Sequence, residues 1–231
     1  MKTVGIIGGI APESTIAYYR GIISTYRAQQ LDGSYPAILL NSIDLKKVLD
    51  LVTANERGRL VEYLIDELHK LARAGADFAA LTSNTPHLVF DELQHRSPLP
   101  LLSIVEAACV AAQRLGLRKV GLFGTRFTMQ GGFYHEVFGR AGIEVVLPEP
   151  NEQDYIHEKY LGELVHVILL PETRAELLAI VERMRARQGI EGLILGGTEL
   201  PLTLTEAAHK GLPFLDTTGI HVERIVAEML S

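Results

Sequence analysis

The chain has 231 residues, of which 47% are hydrophobic and 22% are charged, and its formal net charge is −6. That length and apolar content can bury the sheets of one large domain or of two small ones. The acidic balance and the lack of a basic stripe argue against a nucleic-acid partner. No apolar run is long enough to span a membrane and no signal-peptide pattern precedes the first strand, so we expect a cytoplasmic protein. The single cysteine excludes an internal disulfide and a cysteine-rich metal site.

The first half of the chain alternates between predicted strands and helices. Strands are predicted over residues 3–9, 35–42, 75–81 and 98–104, and helices over residues 10–26, 55–74 and 86–94. The third strand is apolar and ends abruptly in Ser83, Asn84 and Thr85. In open α/β sheets, ligands bind outside the carboxyl ends of the strands, so these polar side chains are expected to face a crevice.

The second half repeats this arrangement. Strands are predicted over residues 118–124, 144–147, 192–195 and 212–215, and helices over residues 105–115, 152–170, 171–187 and 221–230. The strand start at Val4 matches the one at Val120 with an offset of 120 − 4 = 116 residues. The strand end at Ser83 matches the one at Gly197 with an offset of 197 − 83 = 114 residues. Two nearly equal offsets indicate an internal duplication.

We therefore expect an α/β fold of two similar domains, the first formed by residues 1–100 and 207–231 and the second by residues 101–206. Each domain should hold a mainly four-stranded parallel sheet flanked by helices, and a pseudo-twofold axis should relate the two. The site is then expected in the cleft, with one strand-end loop on each wall.

Candidate ligand-binding groups are backbone N–H groups and polar side chains at the strand ends. Hydroxyls, amides and helix N-termini of this kind bind a small carboxylate, and Arg126 adds a guanidinium. The alternative is that the same residues only cap helices or, for His166, face the solvent. A nucleotide site is disfavoured because both glycine-rich phosphate motifs are absent. The candidates are Gly9, Ile10, Ser42, Asn84, Thr85, Thr125, Thr128, His166 and Thr198.

Five motifs resemble, in order, those of the aspartate/glutamate racemase family. The resemblance implies two α/β domains, a small acidic amino acid or dicarboxylate as substrate, no pyridoxal phosphate or other cofactor, and a homodimer. The motifs are Gly8-Gly9-Ile10-Ala11-Pro12-Glu13-Ser14-Thr15, Ser83-Asn84-Thr85-Pro86-His87, Gly124-Thr125-Arg126-Phe127-Thr128-Met129, Gly196-Gly197-Thr198-Glu199-Leu200 and Asp216-Thr217-Thr218.

The resemblance also implies a pair of catalytic cysteines, because inversion needs one group to remove the α-proton and another to return a proton from the opposite face. The two cysteine positions hold Ser83 and Gly197 here, and the only cysteine, Cys109, lies in a predicted helix as a small buried hydrophobe. The cysteine mechanism therefore cannot operate on this chain. A glycine at position 197 is also expected to enlarge the pocket.

His87 and Glu199 are the candidates to replace the thiols. His87 lies four residues after Ser83 and can act as its base, or can simply cap the helix. Glu199 can act as an acid or base, or can stabilise a helix dipole. No metal-ligand spacing is present.

Three functions remain open from the sequence. The first is an isomerase that removes and returns an α-proton without the cysteine pair. The second is a lyase or decarboxylase that needs proton delivery from one face only. The third is a binding protein for a dicarboxylate or amino acid, without catalysis.

Overall fold

The structure is a computed structural model that describes residues 1–231. The chain forms two compact units, one of Met1–Ile104 with Thr218–Ser231 and the other of Val105–Thr217. The sequence analysis assigned residues 207–216 to the first domain. In the structure, the strand Leu212–Asp216 pairs with Gly192–Gly196, which places this segment in the sheet of the second unit.

The sheet of the first unit has four parallel strands. These are β1 (Val4–Gly8), β2 (Ile38–Ser42), β3 (Phe78–Leu81) and β4 (Leu101–Leu102), in the order β2-β1-β3-β4. Val4 pairs with Ile38 on one side and with Phe78 on the other, so the carboxyl ends of these three strands lie at one edge.

Helices cover both faces of this sheet. They are α1 (Pro12–Gln29), α2 (Leu45–Thr53), α3 (Arg57–Arg73), α4 (Phe90–Arg96) and, at the end of the chain, α11 (Thr217–Met229), with a 3₁₀ turn over Thr85–Val89 before α4. One apolar cluster joins Ile7 of β1 to side chains of α2, α3 and α4, and a second joins Ile6 to side chains of α1 and α11. Alternate side chains of β1 thus supply both cores, as expected for a strand buried on both faces.

The sheet of the second unit has five strands. These are β5 (Lys119–Gly124), β6 (Glu144–Val146), β7 (Gly192–Gly196), β8 (Ala208–His209) and β9 (Leu212–Asp216), in the order β6-β5-β7-β9-β8, and only β8 is antiparallel. The helices of this part are α5 (Ile104–Arg114), α6 (Arg126–Gln130), α7 (Phe133–Arg140), α8 (Pro150–Gly162), α9 (Pro171–Gln188) and α10 (Leu200–Thr203), with a 3₁₀ turn over Leu164–His166.

The predicted fold class is confirmed, because both units hold a mainly parallel sheet with the same strand order at one edge. In each sheet the second strand of the unit lies at the edge, the first strand lies next to it, and the third strand follows. Glycines at equivalent places show why the repeat is visible in the sequence. A Cβ at Gly5 would lie 3.2 Å from Cβ of Leu71 on α3, and one at Gly121 would lie 3.0 Å from Cε of Met184 on α9. In both units a side chain in the middle of the first strand would collide with the helix layer.

Several elements differ from the prediction. The helix expected over residues 152–170 ends at Gly162 and is followed by the 3₁₀ turn and an exposed segment. Helix α2 was not predicted, although Asp44 caps it by accepting a hydrogen bond from the N–H of Lys46 at 2.8 Å. None of the helices has both the length and the apolarity needed to cross a lipid bilayer.

Candidate active site

The first strand-end loop, residues 82–87, follows β3 directly. The N–H and the hydroxyl of Thr82 both donate to the carbonyl oxygen of Ile7, at 3.0 and 3.2 Å, and so tie the loop to the end of β1. Ser83, Asn84 and Thr85 are all buried despite their polarity. The structure therefore places these three predicted residues together at the carboxyl end of the sheet.

His87 turns back toward the start of this loop. Its ring stacks on Phe90 with ring centroids 4.7 Å apart. Burial lowers the pKa of His87 to about 4, and the backbone of Ser83 and Asn84 only partly opposes the shift. The imidazole is therefore neutral near pH 7.

A second buried histidine lies in the same unit. The hydroxyl of Tyr18 and Nδ1 of His221 are 2.8 Å apart, and Nε2 of His221 lies 3.1 Å from the carbonyl oxygen of Leu102. Because Leu102 can only accept, Nε2 carries the proton and Tyr18 donates to Nδ1. Burial and the charge of His87 lower the pKa of His221 to about 3. This histidine joins α1, α11 and β4 in the core.

The turn after β1 is held by its own side chains. The N–H of Gly9 donates to Oγ1 of Thr15 at 2.8 Å, so the group predicted to bind a carboxylate already has a partner. Gly9 has a φ of +85°, and a Cβ there would lie 2.7 Å from the backbone nitrogen of Ile43. The glycine is thus required by backbone conformation and close packing. The side chain of Ile10 is buried in the core, whereas Ser42 is exposed at the end of β2.

The corresponding turn after β5 is also satisfied internally. Thr125 caps α6 by accepting from the N–H of Thr128, and their hydroxyl oxygens are 3.2 Å apart. The N–H of Arg126 donates to Nδ1 of His157 at 3.1 Å, and its guanidinium pairs with Asp154 at 2.7 Å. The alternative reading of these residues, as a helix cap and a surface ion pair, describes the geometry found.

The second strand-end loop, residues 197–200, follows β7 and binds Tyr160, a residue that was not among the predicted site residues. Tyr160, on α8, donates a hydrogen bond to Oε2 of Glu199, and the hydroxyl of Thr198 donates to the same oxygen at 2.8 Å. Burial and the charge of Glu199 raise the pKa of Tyr160 well above its ordinary value. A buried carboxylate with two hydroxyl donors therefore lies beside Gly197.

The expectation that Gly197 enlarges a pocket is wrong, because another residue fills the space that a side chain at this position would occupy. A Cβ built on Gly197 would lie 2.8 Å from both Cζ and the hydroxyl oxygen of Tyr160, and still closer to Cε2. The phenol ring fills this space. The sequence signal that could have found it is a tyrosine on the helix predicted over residues 152–170.

The last candidate, His166, is exposed in the 3₁₀ turn after α8. Nearby on α8, Lys159 forms an ion pair with Glu163. Burial and Glu106 raise the pKa of the Cys109 thiol, which keeps it protonated. No group of three histidine, cysteine or acidic side chains is arranged to hold a metal ion.

Comparisons with known proteins cover the whole chain. A Bacillus subtilis (strain 168) protein named broad specificity amino-acid racemase RacX is 29% identical over 99% of this chain and 98% of its own. An aspartate racemase homologue from Pyrococcus horikoshii OT3 is 35% identical with a TM-score of 0.84, and a Yersinia pestis protein is 32% identical with a TM-score of 0.90. Both structures match over 100% of each chain. The family model described as Asp/Glu/Hydantoin racemase matches residues 7–225, and the chain belongs to this family.

Proposed function

We propose that the protein is an isomerase that removes and returns the α-proton of a small acidic amino acid or a related carboxylate. Membership of the racemase family and the full-length similarity to a protein named as an amino-acid racemase support this reaction class. The substrate class follows the name of the family. The broad specificity in the name of the Bacillus subtilis relative makes neutral amino acids the first alternatives to test.

One observation carries the proposal: polar residues are buried at the carboxyl ends of the central strands of both sheets. Ser83, Asn84 and Thr85 follow β3, and Thr198 and Glu199 follow β7. Polar side chains are seldom buried without a structural partner or a ligand. Their place at strand ends is where α/β sheets bind small molecules.

We assign proton transfer to one group in each unit. In the first unit this is the hydroxyl of Ser83, and the neutral imidazole of nearby His87 is the base that takes up and returns its proton. In the second unit it is the carboxylate of Glu199. Asn84 and Thr85 supply hydrogen-bond donors for a substrate carboxylate, whereas the hydroxyl of Thr198, also expected to bind the substrate, already donates to Glu199. This pairing needs neither cysteine nor pyridoxal phosphate.

The test is deuterium exchange at the α-carbon. The protein is incubated in D₂O with the L and D forms of aspartate, glutamate, alanine and methionine, and exchange and inversion are followed by NMR and chiral chromatography. We expect exchange with inversion, reduced about 100-fold or more in Ser83→Ala. Ser24→Ala, which changes an exposed serine on α1, is the matched control and should keep full activity. Absence of exchange with every amino acid would refute the proposal.

The lack of a side chain at Gly197 favours a second candidate, a lyase or decarboxylase that protonates its product from one face. The same incubations distinguish it, because release of carbon dioxide or another fragment would replace inversion. A thermal shift with a dicarboxylate or amino acid, without turnover, would instead identify a binding protein.

We also propose a homodimer, on the basis of the family resemblance, and the cytoplasmic location expected from the sequence. Light scattering coupled to size-exclusion chromatography tests the dimer, and fractionation of cells that produce the protein tests the location. A monomer at micromolar concentration would refute the first of these.

A further inference from the structure

The space beside Gly197 is taken over by another residue rather than left vacant. The ring of Tyr160 lies where a side chain at position 197 would begin, with its hydroxyl oxygen 2.8 Å from the built Cβ. The family resemblance places a proton-transferring side chain at position 197. A phenol hydroxyl therefore lies where a hydrogen-bonding and proton-carrying group is expected.

The hydroxyl is held in one direction by a fixed set of partners. It donates to Oε2 of Glu199, which also accepts from the hydroxyl of Thr198 at 2.8 Å. Helix α8 carries Tyr160, and its start is fixed by reciprocal hydrogen bonds between Glu149 and Glu152. Tyr160, Thr198 and Glu199 are all buried, so their geometry is set by packing.

The charges of this group decide which atom can act as the base. The raised pKa of Tyr160 keeps the phenol protonated near pH 7, which excludes a phenolate as the resting base. The hydroxyl of Tyr160 donates to the carboxylate of Glu199, which can accept its proton. A proton can then enter or leave through the phenol while the phenol itself stays neutral.

We propose that Tyr160 relays a proton between the α-carbon of the substrate and the carboxylate of Glu199, as the acid and base of the second unit. In the removal direction the α C–H bond breaks, and its electron pair stays on the substrate as the enolate of the carboxylate. The proton forms a new O–H bond on Tyr160 while the original phenol proton passes to Oε2 of Glu199. The return direction reverses each transfer, so Tyr160 is the catalytic residue and Glu199 stores the proton.

The inference rests on the proposed function, and its test separates the two. Tyr160→Phe keeps the ring beside Gly197 and removes only the hydroxyl, whereas Glu199→Gln keeps the shape and removes the proton acceptor. Tyr134→Phe is the matched control, because Tyr134 is a fully buried tyrosine of the same unit and its hydroxyl bonds to Thr217 instead. All three variants are compared with the wild-type protein in the D₂O assay, after circular dichroism has confirmed that they fold.

We expect Tyr160→Phe and Glu199→Gln each to lower inversion by about 10²- to 10⁴-fold, the usual range for a proton-transfer group. Exchange without inversion should persist for one enantiomer, because the first unit retains its own group. A purely structural role for Tyr160 would instead lower both enantiomers' exchange equally.

The outcomes are distinguishable. Wild-type inversion with unchanged inversion in both variants would overturn the relay and leave the proposed function standing. The relay would also be overturned if Tyr134→Phe lowered inversion as much as Tyr160→Phe does. Loss of α-proton exchange for both enantiomers in Tyr160→Phe would overturn it as well. Absence of exchange in the wild-type protein would overturn both proposals. Each variant tests the relay by itself, so a folding failure in one leaves the other decisive.

Discussion

Adding a methyl group at Gly197 tests whether the ring of Tyr160 fills the space beside this residue. The new Cβ would lie 2.8 Å from Cζ of the ring and from its hydroxyl oxygen, well inside van der Waals contact. The ring is buried and its hydroxyl is bound to Glu199, so it cannot move aside freely. Gly197→Ala should therefore be destabilising even though Gly197 does not have a positive φ.

The effect of Gly197→Ala on the free energy of unfolding depends on whether the ring of Tyr160 is present. Overpacking a buried site of this kind costs about 1–3 kcal/mol. In a Tyr160→Ala background, which itself should cost about 3–5 kcal/mol, the methyl group meets no ring. There Gly197→Ala should be neutral or stabilising by up to about 1 kcal/mol, because alanine restricts the unfolded chain. The coupling between the two positions should then be about 2 kcal/mol, within the range for residues in contact.

Urea denaturation of the four proteins in this cycle measures the coupling. The chain has no tryptophan, so far-ultraviolet circular dichroism is the suitable signal. Gly139→Ala on α7 is the control, since a Cβ there meets nothing within 4 Å, and it should be neutral or slightly stabilising. Equal cost of Gly197→Ala in the presence and absence of the tyrosine ring would refute the packing argument.

Two further predictions concern the first unit. His87 and His221 have folded pKa values of about 4 and about 3, below their ordinary value of 6.5. As the pH falls from about 6.5 to about 4 the unfolded chain takes up protons that the folded chain does not, so the free energy of unfolding should drop by up to about 1.4 kcal/mol per pH unit for each histidine. Denaturation series at pH 7, 6 and 5 measure how steeply the free energy of unfolding falls with pH, and His221→Gln should lower that slope by about this amount. An unchanged slope, or the same change in the exposed-histidine control His135→Gln, would contradict the lowered pKa of His221. Thr15→Val should cost about 1–3 kcal/mol, because the buried N–H of Gly9 loses its acceptor; a shift in the thermal midpoint no larger than that of the exposed-site variant Ser24→Ala would show that this bond is dispensable.

The strands and the repeat could be predicted because their signals are local. Apolar runs such as Val4–Gly8 and Gly192–Gly196 end in glycine and small polar residues, and their spacing recurs along the chain. Helix α2 was not predicted, although Asp44 carries the capping signal. Strand β8 has only two residues, too few for any periodic pattern.

The alternation of strands and helices, the repeat and the family were determined by the sequence alone, since periodicity, turn residues and motif order are properties of neighbouring positions. The partner of Gly197 was decided only by the tertiary structure. Tyr160 precedes that glycine by 197 − 160 = 37 residues, and the tertiary fold brings its ring to the space beside Gly197. The missing side chain of Gly197 and the ring of Tyr160 are related only by their contact in the folded protein, so neither residue indicates the other in the sequence.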